Sequence, residues 1–282
     1  MITVIVGPTG VGKTKMSVEL AKHYNGIVVN ADSMSIYKGL DIGTAKVTPE
    51  EKEGVPHYLV DVAEVEDMYT VFDYQRDLRK ILDEHKNENI IIVGGTGLYI
   101  KAGLFDYEFD EEETSLTFDD KSNEELYEMV KDIDPDTEIH PNNRKRLVRR
   151  LNKTNDSHNG DKLLYDAKFI GLTTDRETLY ERINLRVDKM VEAGLLDEVK
   201  HFYDLGIRSK AIMTGIGYKE LYEYFDGNCT LEEALDLIKQ RSRKYAKRQY
   251  TWFNNQMDIK WFDVDFKDFN NTIKEVINYL DN

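Results

Sequence analysis

Gly7-Pro8-Thr9-Gly10-Val11-Gly12-Lys13-Thr14 decides how this chain is read. Before it, Ile2-Thr3-Val4-Ile5-Val6 is a short β-branched run, the composition of a buried parallel strand. After it, Met16, Val18, Leu20 and Ala21 sit among Lys15, Glu19 and Lys22, as on a part-buried helix. A strand, then G-x-x-x-x-G-K-T, then a helix is the signature of a phosphate-binding loop. Its glycines let backbone N–H groups turn inward, and the helix N-terminus adds positive potential. Lys13 supplies a point charge, and Thr14 a hydroxyl for a metal ion held against the phosphates. The loop alone leaves open whose phosphates these are.

Composition sets outer bounds. A chain of 282 residues, 40% hydrophobic and 32% charged, reads as a soluble globular protein with a substantial core. No apolar stretch approaches membrane-spanning length, and the sequence opens on a strand without a leader, so a cytoplasmic protein with no membrane partner is expected. One cysteine, Cys229, excludes a disulfide framework and a thiolate zinc site, and the six histidines show no ligand spacing. The net charge of −15 argues against nucleic acid until its distribution is read. Fifteen acidic residues stand against two lysines between Asp106 and Glu138, so most of the deficit is local. Elsewhere Arg144, Lys145, Arg146, Arg149 and Arg150 crowd together, as do Lys239, Arg241, Arg243, Lys244, Lys247 and Arg248. Local patches, not net charge, indicate the partners.

Taken in order, Gly26-Ile27-Val28-Val29-Asn30 is a second buried strand ending at Ala31-Asp32-Ser33. In an open α/β sheet ligands bind beyond the carboxyl ends of the strands, which brings Asp32 to the crevice of Lys13. The alternative is an Asp that caps the next turn. Residues 33–46 read as a polar, glycine-containing loop crossing the site. A third strand, Asn89 to Val93, ends at Gly94-Gly95-Thr96-Gly97, where many nucleoside triphosphatases place a metal-binding Asp. Here Thr96 offers only a hydroxyl, and a purely structural glycine turn is the other reading. The acidic stretch from Asp106 is expected to include a mobile surface loop. Arg146, Arg149 and Arg150 are expected on one helical face with Leu147 and Leu151 on another. Asn159-Gly160 is expected as a turn in the return hinge. Leu231 to Phe253 is the longest helical pattern, and its basic face could be simply solvated or could meet phosphates.

These residues together resemble the tRNA dimethylallyltransferase family, bacterial type. The resemblance is carried by Gly7–Thr14, Asp32-Ser33, Ile36 to Lys46, Gly54–His57, Val93–Tyr99 and Ile139–Asn142. It continues through Arg182 to Asp188, Gly215-Ile216-Gly217-Tyr218 and Ser242 to Gln249, in order along the chain. Ser35 stands where many members carry Gln, and Ser242 where Thr is usual.

The resemblance implies transfer of a dimethylallyl group from dimethylallyl diphosphate to N6 of the adenosine next to the tRNA anticodon (position 37). Within that reaction Asp32 takes the general-base role, and Thr96 joins it in the catalytic set. The loop Gly7 to Thr14 and Arg186, which resembles the family's arginine, would bind the diphosphate, with Mg2+ held at Thr14. Family segments that contact tRNA match Asp32, Ser33, Met34 and Ser35; Lys145, Arg146, Leu147, Val148 and Arg149; and Thr214, Gly215, Ile216, Gly217, Tyr218 and Lys219. Arg243, Lys247 and Arg248 would add phosphate contacts to the anticodon stem-loop. The expected fold is α/β, a P-loop-type parallel sheet flanked by helices, with a mostly helical insertion. The core would comprise residues 1–111 and 166–282, and residues 112–165 a lid contacting tRNA, in a protein acting as a monomer. A small-molecule kinase using ATP, a prenyltransferase for free adenine nucleotides and a non-catalytic RNA-binding module are the competing readings.

Overall fold

The computed structural model describes residues 1–109, 117–152 and 159–282. The first half of the chain runs β1 (Ile2–Val6), α1 (Lys13–His23), β2 (Ile27–Asn30), α2 (Pro49–Lys52), β3 (His57–Tyr58), α3 (Val71–Glu84), β4 (Ile90–Val93) and α4 (Gly97–Leu104). Then come β5 (Phe105–Tyr107), α5 (Asn123–Ile133), α6 (Arg144–Leu151) and β6 (Asn159–Leu163). The rest is β7 (Ala167–Thr173), α7 (Arg176–Glu192), α8 (Leu195–Asp204), α9 (Lys210–Thr214), α10 (Tyr218–Phe225), α11 (Leu231–Gln256), β8 (Lys260–Asp263) and α12 (Phe269–Leu280).

Six strands pair in the order β3-β2-β4-β1-β7-β8, and the described pairings between them are all parallel. The β-branched runs explain this sheet, because a strand covered on both faces needs apolar residues at every position. Val4 and Val6 of β1, Val29 of β2 and Ile92 of β4 enter one core. Ile5, Val28 and Ile91, one residue out of phase, enter the other, as the two-residue period of a strand requires. Tyr74 and Leu78 of α3 fill the first core. Met16 and Leu20 of α1, Leu179 and Ile183 of α7 and Val276 of α12 fill the second. Helix starts follow local chemistry: Thr70 with Asp73, and Thr230 with Glu233, form reciprocal capping boxes at α3 and α11. β1 and β4 are neighbours, but the chain leaves β1 toward β2 on one side and passes from β4 to β7 on the other, so their carboxyl ends are where such a sheet opens a ligand crevice.

The chain divides into two units, Met1–Phe105 with Leu163–Asn282, and Asp106–Lys162. The sequence reading set these limits at 111/112 and 165/166. The structure sets them earlier at both ends, where β5 and β6 pair. The inserted unit has its own small core of Leu126, Val130 and Leu147. Asn159 and Gly160 do not form the expected turn; they begin β6, because pairing with β5 overrides the local turn preference. The mobile loop expected in the acidic stretch falls partly on residues 110–116, and the hinge partly on 153–158, both outside the described residues. No described helix is long and apolar enough to cross a membrane.

Candidate active site

The phosphate loop is built by the join of β1 to α1. Gly12 is the N-cap of α1 with φ 92°, and no side chain caps the first turn, so its N–H groups are left for an anion. A Cβ at Gly12 would also stand 2.7 Å from the Phe269 ring, so glycine is required twice over. Lys13 folds back across the loop, its Nζ donating to the carbonyls of Gly7 (2.9 Å) and Pro8 (2.7 Å). Arg182 of α7 braces the loop from outside: its Nε donates to the Gly10 carbonyl at 2.9 Å while its guanidinium stacks 3.7 Å over the Phe266 ring. Gln249 of α11, buried, takes the Thr9 N–H on Oε1 (3.1 Å) and donates Nε2 to the Gly95 carbonyl (3.0 Å). The loop is therefore tied directly to the end of β4.

Asp32 leaves the end of β2 toward the same crevice. Its N–H donates to the Asn30 side chain (3.0 Å), and the Asn30 amide returns bonds to the carbonyls of Asp32 (3.0 Å) and Leu59 (2.8 Å). Asp32 Oδ1 accepts the Met34 N–H at 2.9 Å. The turn-capping reading is thus met with one oxygen. Oδ2 lies beside Gly95 and has no hydrogen bond among the described residues. Thr96, at the N-cap of α4, accepts the Ser33 N–H on Oγ1 (3.0 Å) and donates to Ser33 Oγ (3.3 Å). Tyr245, on α11, lies beside the Thr96 and Gln249 side chains. Burial, and then the nearby Asp32 charge, push its phenol up to about 12, so it stays protonated. Tyr245 is a site residue that sequence reasoning quoted only as part of a stretch. Its four-residue offset from Gln249 on a helix was the available signal.

Arg186 of α7 completes the charge set. Its Nη2 donates to the Thr44 carbonyl at 3.1 Å. Burial lowers its pKa, and Asp32 followed by Glu51 opposes that shift. Lys13 is pulled from 10.5 to about 7, first by burial and then by Arg186, with Asp32 acting the other way. Two cations and one carboxylate therefore share the crevice. Among the described residues no group of three or more His, Cys, Asp or Glu forms a metal cage. Thr14, in the first turn of α1, would be the residue to share a Mg2+ with a bound diphosphate, since that ion prefers phosphate oxygens and water around one or two protein ligands.

The residues expected to meet tRNA are placed unequally. In the inserted unit Lys145, Arg146 and Arg149 are exposed on α6, whereas Leu147 is buried and Val148 packs beside it. Arg150 does not share the free arginine face, because its Nε binds Asp134 at 3.1 Å. Arg144 holds the carbonyls of Phe118 and Lys121. In the other unit Ser35 is buried and Ser33 and Met34 are half-buried. Thr214 is exposed, Ile216 and Lys219 are half-buried, and Gly215, Gly217 and Tyr218 are buried. Leu147 and Tyr218 are thus buried and present no side chain to a ligand. Arg243 is bonded to Asn184 Oδ1 at 2.6 Å, joining α11 to α7. Lys247 and Arg248 are exposed and line a surface depression with Thr251, Trp252, Asn255 and Gln256.

Fold and site define a class: an α/β protein with a phosphate-loop motif at the strand ends and a carboxylate beside it. The family model for IPP transferase matches residues 35–256. A protein of Anoxybacillus flavithermus named tRNA dimethylallyltransferase is 46% identical, covering 99% of this chain and 96% of its own. One of Bacillus subtilis with the same name is 47% identical over 93% and 90%. Among solved structures, the tRNA isopentenylpyrophosphate transferase of Bacillus halodurans is 43% identical, covers 99% of this chain and 95% of its own, and superposes with TM-score 0.79. A eukaryotic dimethylallyltransferase solved acting on tRNA is 28% identical over 98% and 77%, with TM-score 0.83. The chain belongs to the IPP transferase family, the tRNA dimethylallyltransferases.

The pKa of Lys13 has a measurable consequence. At pH 8 the free protein holds this amine largely neutral, and a diphosphate beside it favours the ammonium form. Calorimetric titration with magnesium diphosphate at pH 8, in buffers of different ionisation enthalpy, is expected to show proton uptake that vanishes at pH 6. Lys13→Arg, charged throughout, is expected to remove this difference between the two pH values; its survival in that variant would assign the proton elsewhere.

Proposed function

We propose that this chain, acting as a cytoplasmic monomer, transfers the dimethylallyl group of dimethylallyl diphosphate to N6 of an adenosine beside the anticodon of tRNA. The observation that carries the reading is the meeting of the phosphate loop after β1, the unbonded Oδ2 of Asp32 after β2, on the far side of β4, and Arg186 of α7. Diphosphate is a good leaving group only if its growing charge is met, and Lys13, the first-turn amides of α1 and Arg186 are arranged to meet it. A bound Mg2+ at Thr14 would supply further positive charge to the departing oxygens.

The exocyclic amine of adenine is a weak nucleophile, because its lone pair is delocalised into the ring. As its nitrogen bonds to the prenyl C1, the C1–O bond breaks and its electron pair leaves with the diphosphate. The nitrogen then becomes acidic, and Asp32 Oδ2 takes its proton. Thr96 orients this end of the site through its hydroxyl, which bonds Ser33 beside Asp32, and the Tyr245 ring lies next to it. The adenine must leave its stack to reach N6, so the RNA is bound with that base flipped. Lys145, Arg146 and Arg149 of the insertion, with Lys247 and Arg248 of α11, neutralise the RNA backbone. The family membership weighs against the kinase and the non-catalytic module, and two separate basic helices weigh against a free nucleotide as acceptor.

Radiolabelled dimethylallyl diphosphate offered with tRNA, with AMP and with neither tests this directly. Label is expected on tRNA alone, with ATP at most a weak competitor. Phosphoryl transfer from ATP to a small acceptor, without prenyl transfer, would overturn the reading. Replacing Arg146 and Arg149 together with Ala is expected to weaken tRNA binding and flatten its salt dependence by up to about two counterions. Donor binding should be unchanged. An equal loss of donor affinity would move these arginines to the diphosphate site.

A further inference from the structure

One carboxylate outside the crevice collects an unusual number of donors. Glu198, on α8, accepts the N–H groups of three consecutive residues: Asp41 (3.0 Å) and Ile42 (2.7 Å) on Oε2, and Gly43 (3.0 Å) on Oε1. Its Oε1 also accepts the Tyr218 hydroxyl at 2.5 Å. The Tyr218 ring packs so close to Gly43 that a Cβ there would stand 2.7 Å from it. The next residue in the turn is Thr44, whose carbonyl makes the one hydrogen bond of the Arg186 guanidinium found among the described residues. The other end of the turn is fastened separately: the buried Lys46 donates to Asp41, Asp61 and the Tyr37 carbonyl.

We propose that Glu198 is a positioning residue for donor binding: it fixes the Asp41–Thr44 turn so that the Thr44 carbonyl presents Arg186 to the diphosphate. Through Tyr218, the first residue of α10, the same carboxylate ties that turn to the Thr214–Lys219 segment. A carboxylate suits this task, because its two oxygens offer about four acceptor sites and meet four donors here. A guanidinium with a single bond at its tip is otherwise free to leave its working geometry, and the ordering of its long side chain would then be charged to binding. Lys46 keeps the turn folded, which leaves Glu198 to govern its exact path.

The inference rests on the reading of Arg186 as a diphosphate ligand, and a double-mutant cycle separates the two. The donor KM and kcat are measured at saturating tRNA for the wild type, Glu198→Gln, Arg186→Ala and the double variant, each beside a melting curve. Gln keeps the shape but, whichever way it lies, turns its amide donor toward at least one of the three N–H groups, so at least one bond is lost and replaced by a donor–donor contact. Glu198→Gln is expected to raise the donor KM about tenfold, with kcat little changed, and to cost nothing further once Arg186 is Ala. If Arg186→Ala lowers donor affinity but Glu198→Gln does not, or the two losses add in full, Glu198 is only structural and the inference falls alone. If Arg186→Ala leaves donor use unchanged, the diphosphate reading falls and takes the inference with it. Tyr218→Phe, which keeps the ring and removes one bond, is expected to give a smaller KM increase of about two- to threefold and serves if Glu198→Gln fails to fold.

Discussion

The crevice depends on one buried side-chain amide. Gln249 spans from the Thr9 N–H of the phosphate loop to the Gly95 carbonyl at the end of β4, and its helix brings Tyr245 to Thr96 one turn earlier. Both ends of the amide are used, which fixes its orientation, and its burial makes an unpaired end costly. The loop's own glycines make it able to hold phosphate, but they do not set where it sits relative to Asp32. Gln249 does that from a residue 240 positions away along the chain. Arg182 repeats the device on the outer side of the loop, with Phe266 stacked beneath it.

Electrostatics follow from this placement. Burial lowers the preference of both Lys13 and Arg186 for charge, Arg186 adds to the effect on Lys13, and Asp32 opposes it at both. An anionic ligand relieves this repulsion on binding, and diphosphate gains still more charge as it leaves. In the proposed reaction the same cations would interact more strongly with the leaving group than with the bound donor, which is the condition for accelerating the chemical step. On the acceptor side the arrangement is sparse: one free carboxylate oxygen and hydroxyls kept protonated.

What the sequence made legible was local. The strand–loop–helix signature, Asp32 at a strand end and the Gly94-Gly95-Thr96 turn could each be placed from neighbouring residues, because phosphate loops and parallel strands carry short-range patterns. The long-range braces could not. Glu198 looks like any helix-surface acid, and Gln249 like any polar residue within a basic run, until the fold brings their partners to them. Charge was also read too freely: Arg144 and Arg150 are spent on Phe118, Lys121 and Asp134 inside the insertion, leaving Lys145, Arg146 and Arg149 exposed. A run of arginines gives the sign of a surface, but the protein's own carbonyls and carboxylates decide how many of them face outward. Leu147 and Tyr218 teach the same lesson for motif residues, since the structure buries both.

The central claim is that Asp32 Oδ2 accepts the proton of the acceptor amine, beyond the turn-capping done by Oδ1. Asp32→Asn keeps the bond to the Met34 N–H and removes the basic oxygen, so the two roles separate in a single variant. The decisive measurement is the single-turnover rate of prenyl transfer to tRNA by folded Asp32→Asn protein, taken with a melting curve. The account predicts a fall of roughly 10²–10⁴-fold with little loss of thermal stability. A stable Asn variant that transfers the prenyl group at near wild-type rate would contradict it, leaving Asp32 as a turn residue and the base elsewhere.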